Sequence, residues 1–253
     1  MKIGEQLFSL RKLCTTPEDL AQTLRKVHEI GYRYVQLSGL CDCDPLFLRD
    51  TLAENQLEPV VCHANNQQLR DDPTAVIAYY EAVGCPNIGL GAMPEAYRGS
   101  EEGYAAFIRD YAPAIACLWE HGYPLYYHNH AFDLAKFSDG SCILDRLVQD
   151  ERISLLLDTY WLHMGGYDEV EAIRKAKGRC RIIHFKDWEL TDNTAHFAPV
   201  LRGNLNWDGI YAACREIGVE YAFVEQDDVY GDDTFLGCAE ISYRNMKEKG
   251  WLE

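Results

Sequence analysis

One structural unit repeats along this 253-residue chain: a short apolar segment, a polar turn and a capped amphipathic helix that ends at a glycine. In the first unit, Thr16 is suited to be the N-cap, Pro17 takes the first helical turn, and apolar residues recur at helical spacing up to Gly31. The same pattern predicts further helices that begin after Asp72, Ser100, Asp168 and Asn206 and end at or near Gly84, Gly122, Gly178 and Gly218.

Eight segments between the helices have strand character and follow one another at roughly 30-residue intervals, the spacing of βα units in a barrel. They are Ile3–Ser9, Tyr34–Ser38, Pro59–His63, Asn87–Met93, Leu125–His130, Ile153–Tyr160, Arg181–Lys186 and Tyr221–Glu225. No low-complexity linker interrupts them, so residues 1–253 are predicted to form a single (β/α)₈ TIM-barrel domain. A doubly wound open sheet is the alternative, but the chain has no G-x-G-x-x-G turn.

The composition of the chain argues against some kinds of binding partner. The formal charge is −16, with 24 Lys and Arg against 40 Asp and Glu, which argues against nucleic acid or an anionic membrane as a partner. There is no apolar run of 18 or more residues, so no membrane-spanning helix is expected. The N-terminal residues lack the pattern of a signal peptide, and the ten cysteines are scattered. The sequence therefore predicts a cytoplasmic protein with reduced cysteines.

Polar side chains gather where the later strands end. Strands five to eight end in His128-Asn129-His130, Asp158, His184-Phe185-Lys186-Asp187 and Glu225-Gln226-Asp227, and strand three ends in His63. In a barrel the functional residues lie at the carboxyl ends of the strands. Because side chains alternate along a strand, His128 and His130 share one face, as do His184 and Lys186.

Charged groups that end four consecutive buried strands are costly unless they are paired or bind a metal. Two imidazoles and two carboxylates form a mixed nitrogen and oxygen site that suits Mn²⁺, Zn²⁺ or Co²⁺. Each residue also has a structural interpretation: a hydrogen-bonded histidine, Asp158 as a loop cap, Glu225 in an ion pair, or Lys186 and Asp187 as a surface ion pair. Spacing alone leaves both interpretations open.

Several short motifs occur in a fixed order along nearly the whole chain. They are Gln6-Leu7-Phe8-Ser9-Leu10-Arg11, Gly31-Tyr32, Tyr127-His128-Asn129-His130, Leu157-Asp158-Thr159-Tyr160-Trp161, Gly178-Arg179, His184-Phe185-Lys186-Asp187 and Val224-Glu225-Gln226-Asp227. In these motifs the sequence resembles the xylose isomerase-like barrels, the broad family of sugar phosphate isomerases and epimerases. Relatives in that family include ketose 3-epimerases, inosose dehydratase and endonuclease IV.

The resemblance implies one divalent metal ion (Mn²⁺, Zn²⁺, Co²⁺ or Mg²⁺) held by His128, Asp158, His184 and Glu225. The first ligand is most often Glu in better-known relatives, and His130 competes with His128 for that position. Two more positions depart from the family pattern near the expected substrate. Asp133 stands where Glu is usual, and Leu201-Arg202-Gly203 replaces Gly-Glu-Gly.

The resemblance also implies proton transfer next to a carbonyl, through an enediolate that the metal stabilises. Glu225 would bind the metal and move the proton, and His130 or Lys186 would return it. The residues expected to shape the pocket for a small sugar or polyol are His63, Tyr160, Trp161 and Arg202. Dimers are common among such barrels, so a homodimer is one expected assembly.

An isomerase or epimerase is the leading hypothesis for function. A lyase or dehydratase that acts on a keto-sugar or keto-inositol shares its first chemical step, and a non-catalytic sugar-binding protein is the alternative from another class. A nuclease is disfavoured, because the sequence offers one set of ligands and a strongly acidic composition. With no P-loop or evident Arg/Lys pair, an unphosphorylated substrate is expected.

Overall fold

The computed structural model describes residues 1–252, and eight parallel strands in it close into a barrel. The barrel strands are β1 (Lys2–Gln6), β2 (Tyr34–Leu37), β3 (Glu58–His63), β4 (Ile88–Leu90), β5 (Leu125–His128), β6 (Ile153–Asp158), β7 (Ile182–Phe185) and β10 (Tyr221–Val224). The barrel closes because β10 pairs with both β7 and β1. This confirms the (β/α)₈ fold over the open sheet, while a single domain over residues 1–253 stays a prediction.

Ten α-helices accompany the strands in the described part of the chain. They are α1 (Pro17–Ile30), α2 (Pro45–Glu54), α3 (Asn66–Asp71), α4 (Pro73–Val83), α5 (Glu101–Glu120), α6 (Ile143–Leu147), α7 (Thr159–Met164), α8 (Glu169–Lys175), α9 (Trp207–Ile217) and α10 (Phe235–Glu248). The predicted N-caps are confirmed: Thr16 Oγ1 accepts from Asp19 N–H at 3.1 Å, and Asp168 Oδ1 accepts from Glu171 N–H at 2.8 Å. Within residues 1–252, no helix combines the length and hydrophobicity needed to cross a membrane.

All barrel strands except β3 end one to three residues earlier than the sequence predicts, and in three of them a local cap explains the early end. The first ends at Gln6 rather than Ser9, since the Gln6 side chain accepts from Phe8 N–H and begins a 3₁₀ helix over Leu7–Leu13. The fifth ends at His128, and the sixth ends at Asp158, whose carboxylate caps α7. These early ends place the polar side chains at the barrel mouth.

Inside the barrel, an apolar layer lies directly below the polar one. Tyr126, Leu156, Ile182 and Phe223 are buried together, and each lies two residues before a polar residue at its strand end. Gly4 makes room for this layer, since a Cβ there would lie 2.5 Å from Phe223 Cε1. A larger apolar cluster fills the space between strands and helices, and all ten cysteines are free.

A β-hairpin that the sequence analysis did not predict follows β7. Its strands are β8 (Asp187–Thr191) and β9 (Thr194–Ala198), joined by a two-residue turn with positive φ at Asp192 and Asn193. The hypothesis of a surface ion pair between Lys186 and Asp187 is wrong, because both side chains are buried. The Asp187 carboxylate instead accepts from Trp188 N–H, Gly203 N–H and the Trp207 indole N–H at 2.6–2.9 Å.

We expect Asp187→Ala to lower the free energy of unfolding by roughly 3 kcal/mol, because the buried Trp207 indole N–H and two part-buried backbone N–H groups lose their acceptor. Urea denaturation would measure this change. Asp208→Ala is the matched control, since that exposed carboxylate only contacts Lys249 and is expected to contribute less than about 1 kcal/mol. Equal effects of the two substitutions would contradict the anchoring role of Asp187.

Candidate metal centre

Four side chains from four neighbouring strands meet at the barrel mouth. His128, Asp158 and His184 lie on β5, β6 and β7, and Glu225 directly follows β10. All four are buried, and each offers a ligand atom within 4.8 Å of the others. They converge because each stands two residues beyond an inward-facing apolar residue on its own strand, and therefore points to the same face.

The separations between these atoms suit a shared ion. His128 Nε2 lies 3.4 Å from Asp158 Oδ2 and 3.7 Å from Glu225 Oε2, and His184 Nδ1 lies 3.7 Å from Asp158 Oδ2. Ligands that bind a tetrahedral ion at about 2.0–2.2 Å are themselves about 3.3–3.6 Å apart. His184 Nδ1 and Glu225 Oε2 are closer, at 2.6 Å.

The second nitrogen of each imidazole is hydrogen-bonded to an oxygen that can only accept. His128 Nδ1 donates to the Gly91 carbonyl at 2.7 Å, and His184 Nε2 donates to Gln36 Oε1 at 2.8 Å. These bonds fix the tautomers so that His128 Nε2 and His184 Nδ1 present lone pairs to the centre. Asp158 is oriented in the same way, since its Oδ1 accepts from Trp161 N–H while its Oδ2 faces the two imidazoles.

The donor set fits a divalent cation. Glu225 Oε2 and His184 Nδ1, which lie 2.6 Å apart, are buried and make no hydrogen bond to any other described residue. Lys186 neutralises Asp227, so the carboxylates of Asp158 and Glu225 depend on a proton on His184 or on a bound cation for their counter-charge. Burying such charge is costly unless a cation balances it. The cluster could therefore bind a metal ion, and its nitrogen and oxygen ligands suit Mn²⁺, Co²⁺ or Zn²⁺.

Electrostatics within the cluster follow from burial and proximity. Burial disfavours a charged His184, but the carboxylates of Glu225 and Asp158 outweigh it and raise the pKa of His184 to about 9. Burial also opposes ionisation of Glu225, yet the charges of Lys186 and His184 hold its pKa well below the usual range. Without a metal ion, the cluster would thus hold a proton on an imidazole instead.

Lys186 lies beside this cluster and is only 1% exposed. Its Nζ is 2.5 Å from Asp227 Oδ2 and 3.8 Å from Glu225 Oε2, and the ring of Trp161 lies 4.9 Å away. Burial alone would lower the pKa of Lys186, but the charges of Glu225, Asp158 and Asp227 raise it. The side chain is therefore a protonated ammonium close to the proposed metal ligands.

The structure separates the two histidines that compete for the fifth-strand position. His128 lies in the four-residue cluster, whereas the His130 ring packs between Phe132 and Trp161. Burial and the neighbouring His128 lower the pKa of His130 to about 3, so it is neutral at physiological pH. Its Nδ1 is buried without a hydrogen-bond partner among residues 1–252, and the residue lines a cleft of about 290 Å³.

The predicted substrate-binding residues are spread around the mouth. His63 lines the same cleft, and its ring nitrogens contact Gln36 Nε2 at 2.8 Å and Ser38 Oγ at 3.3 Å. Tyr160 and Trp161 form an aromatic wall beside Lys186. Arg202 instead forms ion pairs with Glu189 and Asp233 next to the hairpin. That these four residues contact substrate stays a prediction.

Sequence reasoning missed Gln36 and Gly91 as parts of this site, and it placed Asp227 at the end of strand eight without giving it a role. Gln36 connects His184 to His63 through its two amide atoms, and Gly91 contributes only its carbonyl. Neither residue type signals a ligand orienter by itself. Gln36 lies two residues beyond the inward-facing Tyr34, a register signal that becomes clear only once the strands are paired.

We expect Gln36→Leu to weaken metal affinity about 10–100-fold, because His184 loses the acceptor that fixes its tautomer. A chelator-competition titration with Zn²⁺ would measure the change. Gln67→Leu, at an exposed position on α3, is the control and is expected to bind metal as the wild type does. Unchanged affinity in Gln36→Leu would show that Gln36 does not orient His184.

The fold and the cluster define a (β/α)₈ barrel with a candidate metal centre at its carboxyl-terminal mouth. The chain belongs to the family described as "Xylose isomerase-like TIM barrel", whose profile matches residues 24–231. This confirms the resemblance found in the sequence motifs. No curated protein sequence matches the chain.

Solved structures with the same fold cover nearly the whole chain. A sugar phosphate isomerase/epimerase from Parabacteroides distasonis ATCC 8503 is 19% identical, with a TM-score of 0.82 over 100% of this chain and 99% of its own. An L-ribulose 3-epimerase is 16% identical, with a TM-score of 0.71 over 99% and 95%. A probable 3-DHS dehydratase from Bacillus anthracis is 14% identical, with a TM-score of 0.71 over 98% and 99%. At these identities the likeness shows the fold alone.

Proposed function

We propose that this chain is a divalent-metal-dependent isomerase or epimerase that moves a proton next to a carbonyl of a small sugar or polyol. The observation that carries the proposal is the position of Glu225. Its carboxylate belongs to the four-residue cluster, and the residue also lines the adjoining cleft. One carboxylate can therefore contact both a metal ion and a substrate. Structural relatives described as epimerases and isomerases support this class of reaction.

His128, Asp158, His184 and Glu225 would hold the metal ion. When bound, a divalent cation would supply positive charge that stabilises the oxygens of an enediolate. The protein residues prepare its place: Gly91 and Gln36 orient the two imidazoles, and Trp161 N–H orients Asp158. The apolar layer beneath excludes water from the inner side of the centre.

Glu225 is the proposed base. Its carboxylate is ionised at neutral pH, and it lies at the boundary between the buried cluster and the cleft, where a substrate carbon would be in reach. The Lys186 ammonium, 3.8 Å from Glu225 Oε2, keeps the carboxylate ionised before the reaction. It would also stabilise negative charge that develops on the substrate.

Lys186 is the proposed group for proton return, and His130, which the sequence also suggested for this step, is proposed to bind a substrate hydroxyl. Lys186 is the protonated one of the two, which suits a donor, while His130 is neutral and offers its unpartnered Nδ1 to a substrate hydroxyl. Return of the proton to the other face of the same carbon gives epimerisation. Return to the adjacent carbon gives isomerisation.

A lyase or dehydratase is the second candidate, and the Lys186 ammonium is the observation that favours it. A buried cation beside the base can protonate a departing β-hydroxyl, after the same initial proton abstraction. The dehydratase among the structural relatives fits this chemistry. A sugar-binding protein without catalysis is the alternative from another class.

Product analysis separates these candidates. Metal-loaded protein would be incubated in D₂O with a panel of unphosphorylated keto-sugars and keto-inositols, and the products followed by NMR. We expect a stereoisomer or positional isomer that carries solvent deuterium. An unsaturated product would establish the lyase, and binding without any chemical change would establish the sugar-binding protein.

A further inference from the structure

A second cleft of about 470 Å³ adjoins the one that Glu225 lines. Ser38, His63 and Ala64 line both clefts, so the two spaces meet at these residues. The first cleft, at about 290 Å³, is at the lower end of the volumes of small-molecule sites, which run from about 300 to 1,000 Å³. A single sugar unit at the metal centre would leave the larger space unused.

The second cleft is built from elements that hold one another in place. It lies between the loops that follow β2 and β3 and one face of α4. Tyr79 on α4 donates its hydroxyl to the Cys43 carbonyl at 3.2 Å, which fixes the β2 loop against the helix. The cleft is thus a feature of the packed fold.

The lining shows which chemistry the cleft would accept. Tyr79 and Tyr80 contribute part-buried aromatic side chains, and Gln68 and Asp42 contribute exposed amide and carboxylate groups that can bind hydroxyls. Within the described chain, neither cleft is lined by Lys or Arg. An anionic group such as a phosphate would find no Lys or Arg in the lining of the second cleft to balance its charge.

We propose that the substrate is an uncharged glycoside of two sugar rings, one over the metal centre and the second in the cleft between α4 and the β2 and β3 loops. This inference rests on the proposed function, because it extends the same site. In it, His63 lies at the junction of the two rings and Gln68 lies beside the second. The shared residues Ser38 and Ala64 form the passage between the clefts.

Equilibrium binding tests the proposal without requiring turnover. Zn²⁺-loaded protein would be titrated, by saturation-transfer NMR, with matched sugars: glucose against cellobiose and maltose, and fructose against turanose and lactulose. We expect at least one disaccharide to bind about tenfold or more tightly than its monosaccharide, a gain of about 1.4 kcal/mol. Gln68→Trp, which replaces a residue that lines the second cleft with a bulkier side chain, is expected to abolish that gain.

Gln67→Trp is the matched control, because Gln67 is the exposed neighbour on α3 that does not line the cleft. It is expected to bind disaccharides as the wild type does. The proposal is overturned if no disaccharide gains affinity or if the gain survives in Gln68→Trp. If only phenyl glucosides bind more tightly than the monosaccharide, the second cleft binds an aromatic group and the proposal of a second sugar ring is overturned. Failure of proton exchange on keto-sugars, with this binding pattern intact, would instead contradict the proposed function.

Discussion

Purified protein incubated with Zn²⁺, Mn²⁺ or Co²⁺ is expected to hold about one ion per chain, and the double variant His184→Ala/Glu225→Ala is expected to hold almost none. The reason is the geometry of the cluster. The cluster has four buried ligand atoms within 4.8 Å of one another, and two of them, His184 Nδ1 and Glu225 Oε2, make no hydrogen bond to any residue outside the cluster in residues 1–252. Removing two ligands should weaken affinity by more than about 10³-fold. Mass spectrometry after desalting would measure metal content.

The matched control is His163→Ala/Glu169→Ala. This second histidine–glutamate pair, with 2.7 Å between Nδ1 and Oε1, lies outside the cluster. Its removal replaces the same two residue types as the double variant does. The control is expected to retain the ion. A wild-type protein that stays empty with all three metals would contradict the metal centre, as would a double variant that binds as tightly as the wild type.

We expect Lys186→Met to lower the free energy of unfolding of the metal-free protein by about 3–5 kcal/mol. Lys186 is the buried cation that contacts Asp227 at 2.5 Å and Glu225 at 3.8 Å. Without it, the carboxylates of Asp158, Glu225 and Asp227 lie close together with reduced compensation. Urea denaturation in the presence of a chelator would measure the loss.

A double-mutant cycle gives this prediction its control. Adding Asp227→Asn to Lys186→Met should recover part of the lost stability, because one of the unpaired charges is then gone. Lys175→Met should cost less than about 1 kcal/mol, since its partner Glu171 and the lysine itself are both exposed. A loss below about 1 kcal/mol in Lys186→Met would mean that the buried ammonium does not balance the cluster.

Sequence alone predicts the architecture well, for a physical reason. Each βα unit carries its own local signals, such as Thr16 before Pro17 and Gly31 after the helix, and these depend only on neighbouring residues. The position of the candidate ligands is predictable as well, because charged residues such as Asp158 directly follow buried apolar runs. The residues at which the strands end are harder to predict, because a residue such as Asp158 both ends β6 and caps α7.

The remaining features depend on contacts between distant segments. In the sequence, Asp187 resembles a surface residue. In the fold, its carboxylate accepts hydrogen bonds from Gly203 N–H and the Trp207 indole N–H, and these donors lie near Asp187 only after the intervening chain has folded. The hairpin that begins there did leave a signal, since Asp192-Asn193 suits a turn with positive φ. The role of Gln36 depends on how β2 pairs with its neighbours, and the second cleft depends on how α4 packs against the loops after β2 and β3. No local sequence pattern determines either arrangement.

Proton abstraction by Glu225 is the central claim, and solvent exchange measures it most directly. The metal-loaded wild type, Glu225→Gln and Glu220→Gln would each be incubated with the keto-sugar panel in D₂O, and deuterium at the carbon next to the carbonyl would be followed by NMR. Glu220, an exposed partner of Arg181, provides the matched control. We predict exchange in the wild type and in Glu220→Gln, slowed by about 10²–10⁴-fold in Glu225→Gln. Undiminished exchange in Glu225→Gln, or no exchange on any of these sugars by the metal-loaded wild type, would contradict the account.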